Sequence, residues 1–186
     1  MIGYALCGSF CTFEKSLSVL SRLVADGYDV LPIMSFNAAS LDTRFGKAED
    51  FRNRVGAICG RPPVLTVEDA EPLGPKTPLD ALVIAPCTGN TIAKLAAGIS
   101  DTPVTMAAKA HLRRSRPVLL ALCSNDAMSA NLKNIATMLE KKSVFFVPMS
   151  QDDPEKKPHS LVADFTLVPE CLSDALNGVQ KRPLFI

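Results

Sequence analysis

Asp80–Asp101 reads DALVIAPCTGNTIAKLAAGISD. Ala81–Ala85 is a short apolar strand stopped by Pro86, Cys87–Thr91 is a turn of small and polar residues, and a small-residue helix runs from Thr91 to its stop at Gly98. Strand, polar turn and helix N-terminus together present free backbone N–H groups, the arrangement by which α/β proteins cradle anions and cofactors. Turns of this kind recur throughout αβα chains and most bind nothing. The stretch therefore decides the fold class before it decides a function.

Working outward, Ile2–Cys7 is a near-continuous apolar run, as expected of a strand covered on both faces. It breaks at Gly8-Ser9. Phe13, Leu17, Leu20, Leu23 and Val24 then recur at helical spacing up to Gly27, and Asp29–Phe36 is a second strand. Such a βαβ unit has parallel strands. Asn37–Gly46 is a polar loop and Lys47–Ile58 a helix. Gly60–Pro78 holds five of the fourteen prolines, so it is mostly irregular, with a short strand at Val64–Val67. A helix capped at Asp101-Thr102-Pro103 runs to about Arg114, where the basic run His111–Arg116 complements the helix dipole. Pro117–Cys123 is a buried strand and Ser124–Ala130 a polar turn. Leu132, Ile135, Met138 and Leu139 mark a helix before strand Val144–Val147. Gln151–Pro158 is a charged loop, and the last helix lies near Pro169–Asn177. The alternation predicts one three-layer αβα domain over residues 1–186, a doubly wound Rossmann-like parallel sheet of five or six strands.

The chain has 186 residues, 47% of them hydrophobic, enough for one well-cored domain. Its net charge of +1 makes no general case for nucleic acid or an anionic membrane. No apolar run approaches the ~18 residues of a membrane span, and no signal-peptide pattern opens the chain. The six cysteines form no C-x-x-C pair and fall mostly in or beside apolar strands, which fits a reduced, cytoplasmic setting.

In a doubly wound sheet the ligand sits at the carboxyl ends of the strands. That rule selects Gly8-Ser9, Ser35–Asn37, Pro86–Thr91 and Ser124–Asp126, all rich in small hydrogen-bonding residues. There is no G-x-G-x-x-G and no Walker motif. The hydroxyls of Ser9 and Thr12 either help to hold a single phosphate or cap the following helix. His111 and His159 have no catalytic partner in sequence, and no metal-ligand spacing is visible. Cys87 stands beside a helix N-terminus, which can lower a thiol pKa, although a small core residue is the stronger reading. Asn125 and Asp126 offer polar groups without an evident proton-transfer partner. These residues point to a small-molecule or mononucleotide site.

Ala85-Pro86-Cys87-Thr88-Gly89-Asn90-Thr91, with Ile92-Ala93-Lys94 and Gly98-Ile99-Ser100-Asp101, resembles the motif of the flavin mononucleotide (FMN)-binding cysteine decarboxylase family. The family pattern is Ala-Pro-Ala-Ser-Ala-Asn-Thr followed by Ile-Ala-Lys-x-Ala-x-Gly-Ile-x-Asp. A second family motif, Ala-Pro-Ala-Met-Asn-x-x-Met, stands here as Ala121–Met128, with Asn125 and Met128 matching and the proline and first methionine absent. The resemblance implies a flavoprotein fold and FMN held by Gly8, Ser9, Ser35, Asn37, Pro86, Cys87, Thr88, Gly89, Asn90, Thr91 and Ser124. It assigns substrate contacts to Asn125, Asp126 and Met128. The family's catalytic histidine is missing: Gly74-Pro75-Lys76-Thr77-Pro78-Leu79 stands in its place, so no catalytic residue is assigned. Flavin prenyltransferases share the general fold and are resembled less closely.

SFNAASLDTRFG (Ser35–Gly46), AEPLGPKTPLDALVIAP (Ala70–Pro86), MAAKA (Met106–Ala110) and QDDPEKKPHSLVA (Gln151–Ala163) resemble one branch, the B subunits of dipicolinate synthases. That resemblance implies dipicolinic acid synthesis from a dihydrodipicolinate-type lysine-pathway precursor, in the mother-cell cytoplasm of a sporulating bacterium. It implies a partner A subunit that carries the nicotinamide cofactor NADP, and a homo-oligomer, trimer or dodecamer. The chain is then either an active flavin or substrate site or a non-catalytic partner. A free-standing flavin-dependent decarboxylase ranks last because the histidine is missing.

Overall fold

The computed structural model of the chain describes every residue except Pro75. In chain order the elements are β1 (Ile2–Leu6), α1 (Phe13–Ala25), β2 (Val30–Met34), α2 (Phe36–Ser40), α3 (Ala48–Cys59), α4 (Val67–Ala70), β3 (Ala81–Thr88), α5 (Gly89–Ala97), α6 (Pro103–Leu112), β4 (Val118–Ser124), α7 (Leu132–Leu139), β5 (Val144–Phe146), β6 (Met149–Ser150), β7 (Leu161–Ala163) and α8 (Val168–Leu176).

One sheet runs β2-β1-β3-β4-β7-β6, with β5 also paired to β4. Side chains alternate across a strand, so each central strand feeds two cores. Tyr4, Leu6, Val83, Ala85, Leu119 and Ala121 pack with α1, α3 and α8 on one face. Ala5, Ile33, Leu82, Ile84, Leu120 and Leu122 pack with α5, α6 and α7 on the other. Covering both faces explains why β1 and β4 are buried along their whole length and read as unbroken apolar runs. The result is the expected α/β, three-layer, Rossmann-like arrangement.

The expected parallel sheet forms the core, and one edge adds antiparallel strands. β1, β2, β3, β4 and β5 are parallel, but β7 runs antiparallel to both β4 and β6. β5 occupies the edge of β4 at Val118–Leu120, and β7 takes over that edge at Cys123–Ser124. The strand expected to stop at Pro86 runs on to Thr88. Its ladder with β4 shifts register between Ile84 and Cys87, across a cis Ala85–Pro86 bond. A proline is tolerated at such an irregularity because no ladder bond needs its missing N–H, and the Pro86 carbonyl still accepts from the Cys7 N–H at 3.2 Å. The predicted strand at Val64–Val67 reduces to a single parallel bridge, Val64 to Ile33. The predicted polar loop after β2 begins with the short helix α2. Among the described residues, no helix is long and apolar enough to cross a membrane.

Candidate functional site

β1, β2 and β3 end side by side, and a cavity of about 290 Å3 opens between their carboxyl ends. Gly8 follows β1, Ser35, Phe36 and Asn37 lie where β2 turns into α2, and Thr88, Asn90, Thr91 and Lys94 belong to β3 and α5. Thr102, before α6, closes the lining. Two hydroxyls set the helix starts. Ser35 Oγ accepts the Ala38 N–H at 3.3 Å, and the Ser35 N–H donates to the Leu6 carbonyl at 2.9 Å. Thr88 Oγ1 accepts the Thr91 N–H at 3.2 Å and lies 3.0 Å from Thr91 Oγ1. Beyond these caps, the N–H groups of Phe36, Asn37 and Asn90 at the two helix starts, and of Gly8 in the loop after β1, find no intramolecular acceptor among the described residues. Such donors at helix starts suit an anion.

A second polar cluster presses on the start of α5 from the β4 side. Ser124 Oγ donates to Asp126 Oδ1, Asn131 Nδ2 donates to the same oxygen at 2.9 Å, and Asn134 Nδ2 donates to Asn131 Oδ1 at 2.8 Å. The Ser124 hydroxyl first, then the Asn131 amide, holds the Asp126 carboxyl below the ordinary carboxylate range. Gly89 makes room for the cluster: a Cβ there would lie 2.3 Å from Ser124 Oγ, 2.6 Å from Asn131 Nδ2 and 2.8 Å from Asp126 Oδ1.

Of the residues selected from sequence, Gly8, Ser35, Asn37, Thr88, Asn90 and Thr91 line the one cavity. The others lie elsewhere. Pro86 and Cys87 are buried within β3, and burial pushes the Cys87 thiol well above its usual range, which corrects the option of an activated thiol. Gly89 faces the Ser124 cluster. Ser9 and Thr12 do not cap α1 through their side chains; instead Thr12 Oγ1 donates to the Ser9 carbonyl at 2.8 Å. Ser124 and Asp126 are tied to one another, Asn125 is exposed, and the half-buried Met128 donates its N–H to the His159 carbonyl at 2.9 Å. His111 is buried, with Nε2 3.0 Å from the Pro117 carbonyl. Phe36, inside the selected Ser35–Asn37 turn, also lines the cavity, and the residues missed from sequence are Lys94 and Thr102. Lys94 was findable, since it lies three positions after Thr91 and so one turn along the same helix face. Among the described residues, no group of His, Cys, Asp and Glu side chains is placed to hold a metal. A larger cleft of about 700 Å3 runs between α1 and β7, but none of the four polar turns lines it. The smaller cavity is therefore the candidate site, because the open donors converge there.

The family profile described as Flavoprotein matches residues 1–166. The B subunit of dipicolinate synthase from Bacillus subtilis (strain 168) is 43% identical over 185 residues, covering 100% of this chain and 92% of that one. The crystal structure of the dipicolinate synthase B subunit from Bacillus halodurans C superimposes with a TM-score of 0.91 at 42% identity, covering 100% of this chain and 95% of that chain. The FMN-dependent cysteine decarboxylase SpaF gives a TM-score of 0.71 at 24% identity over 95% and 94% of the two chains, a likeness of fold. With an αβα core, a cavity at the strand ends and full-length relatives of this kind, the chain belongs to the flavoprotein family, in the branch of the dipicolinate synthase B subunits.

Proposed function

We propose that this chain is the B subunit of a dipicolinate synthase. It acts with a nicotinamide-dependent A subunit, which carries NADP, in making dipicolinic acid from a dihydrodipicolinate-type lysine-pathway intermediate in the mother-cell cytoplasm of a sporulating bacterium. The full-length likeness to B subunits is the observation that carries this reading.

FMN is the cofactor we assign to the cavity. The N–H groups of Gly8, Phe36, Asn37 and Asn90 suit a phosphate, and no acidic side chain lines the cavity. About 290 Å3 is at the lower end of the ~300–1,000 Å3 typical of small-molecule sites. It matches a phosphate and its attached chain better than a whole flavin, so Phe36, 47% exposed at the rim, is a place for a second copy of the chain to close the site. A homo-oligomer is consistent with that reading, and the family resemblance is what suggests a trimer or dodecamer. When bound, a flavin supplies a two-electron acceptor and donor. The chain's own part is to seat the anion with its helix starts and to offer the exposed Asn125 amide to a substrate carboxylate. Asp126, held ionised, orders Ser124 and Asn131 rather than carrying a proton.

The small cavity favours a second reading, a non-catalytic partner that retains the flavoprotein fold. A free-standing decarboxylase has less support, since Gly74–Leu79 lacks the family's histidine; Pro75 of that segment lies outside the described residues. One experiment separates these. The purified chain is titrated with FMN, and dipicolinate formation by a B. subtilis-type A subunit with NADP is measured with and without it. Flavin binding with a faster A subunit supports the first reading, and acceleration without flavin supports the second. No change in turnover together with no co-elution would sink the B-subunit assignment.

A further inference from the structure

Among the described residues, Lys94 supplies the one charged side chain lining the candidate cavity. It is only 23% exposed, whereas its partner Asp101 is 57% exposed and does not line the cavity. Both carboxylate oxygens of Asp101 accept from Lys94 Nζ at 2.7 Å. The wall that Lys94 shares otherwise offers hydroxyls, amides and open backbone N–H groups. These are neutral dipoles, and they fix an anion's position better than its charge. Lys94 is thus the cavity's sole source of full positive charge, and it is held from outside by a solvated acid.

We propose that Lys94 is the residue that selects a phosphate-bearing ligand, and that Asp101 tunes this selection by competing for the same ammonium group. Solvated ion pairs are weak, so a phosphate dianion entering the cavity, with Gly8 and Asn90 N–H groups beside it, can draw the ammonium away from Asp101. The inference rests on the FMN reading for the identity of the ligand, but not for the anion preference itself.

Binding of FMN and of riboflavin, which lacks the phosphate, is measured by flavin fluorescence on the wild type, Lys94→Gln and Asp101→Asn. Charge-assisted hydrogen bonds are strong enough that Lys94→Gln should weaken FMN by about tenfold or more while leaving riboflavin within about twofold. Asp101→Asn should tighten FMN severalfold. The opposite directions matter, because both variants break the same ion pair. If the pair merely braces α5, the two variants weaken FMN alike, and the proposal is overturned. It is also overturned if FMN and riboflavin fall together in Lys94→Gln. Should Lys94→Gln fail to fold, the sign of the Asp101→Asn effect decides. If the wild type binds neither flavin, the FMN reading fails, and inorganic phosphate becomes the probe. A Tm rise with phosphate in the wild type and not in Lys94→Gln then sustains the role of Lys94, and no rise in the wild type overturns it.

Discussion

Gly89 and Ser124 meet so closely across the start of α5 that a Cβ on the glycine would stand 2.3 Å from the serine Oγ. The flavin-binding motif that Ala85–Thr91 resembles has alanine at this position, and the β4 turn of this chain leaves no room for that methyl group. The glycine is required by that approach and not by its backbone conformation, since its φ is not among the positive ones.

Gly89→Ala would ordinarily gain from helix propensity. Here the methyl meets three polar atoms locked to one another, and overpacking of that kind costs about 1–3 kcal/mol. The expected result is a lower urea midpoint with an unchanged slope. Adding Ser124→Ala to Gly89→Ala should recover part of the loss, with a coupling above about 0.5 kcal/mol. Strict additivity would place the clash elsewhere.

Ser16 ties α1 to the irregular point of β3. Its Oγ donates to the Ala85 carbonyl at 2.5 Å, and the Tyr4 hydroxyl, fully buried, donates to the Ser16 carbonyl at 3.1 Å. Burial pushes the Tyr4 phenol above its usual range, so it stays protonated and a donor. Ser16→Ala takes the hydroxyl donor from a buried carbonyl and should cost about 1–3 kcal/mol, more than Tyr4→Phe, which removes both the hydroxyl and its need for a partner. Chemical denaturation gives the ranking, and a larger loss for Tyr4→Phe would contradict it.

Asp126 should leave a signature in acid. Its folded pKa is depressed by Ser124 and Asn131. A depressed carboxyl adds stability above its unfolded value of about 3.9 and loses it as pH falls through the folded value. Asp126→Asn should therefore be less stable than wild type at neutral pH, with the gap closing as pH falls through the folded value. Unfolding curves between pH 7 and pH 2 check this. A gap independent of pH would mean that shape and not charge holds the cluster.

The thiols divide by burial. Cys7, Cys87, Cys123 and Cys171 are buried, Cys59 is half-buried, and Cys11 is exposed. Burial pushes Cys7 and Cys59 up to about 11, and Cys123 and Cys171 up to about 12, so few thiolates exist there near neutrality. Brief iodoacetamide treatment at pH 8 should add one group, located at Cys11 by peptide mass, and further groups only in denaturant. Rapid native labelling of Cys87 would show that β3 opens at its end.

The local chemistry of the chain was enough to determine its class. The apolar runs at β1, β3 and β4 announced strands covered on both faces. Gly98 marked the end of α5, in the left-handed conformation it takes there, and Thr102-Pro103 announced the start of α6, where the structure adds a capping box with Thr105. Each of these signals needs only neighbours in sequence. Tertiary structure decided the rest. Whether Pro86 ends β3 depends on whether β4 needs its N–H, and the register shift removes that need. β6 and β7 are two and three residues long and exist through pairing with β4 and each other, so their residues carry no pattern of their own. The polar turns all lie at the strand ends as the fold rule requires, yet the packing of α5 sends Thr88, Asn90 and Lys94 to one side and Gly89 to the other. That division places one group at the cavity and the Ser124–Asp126 group outside it. It is set by contacts between strands far apart in the chain, and no local pattern encodes them.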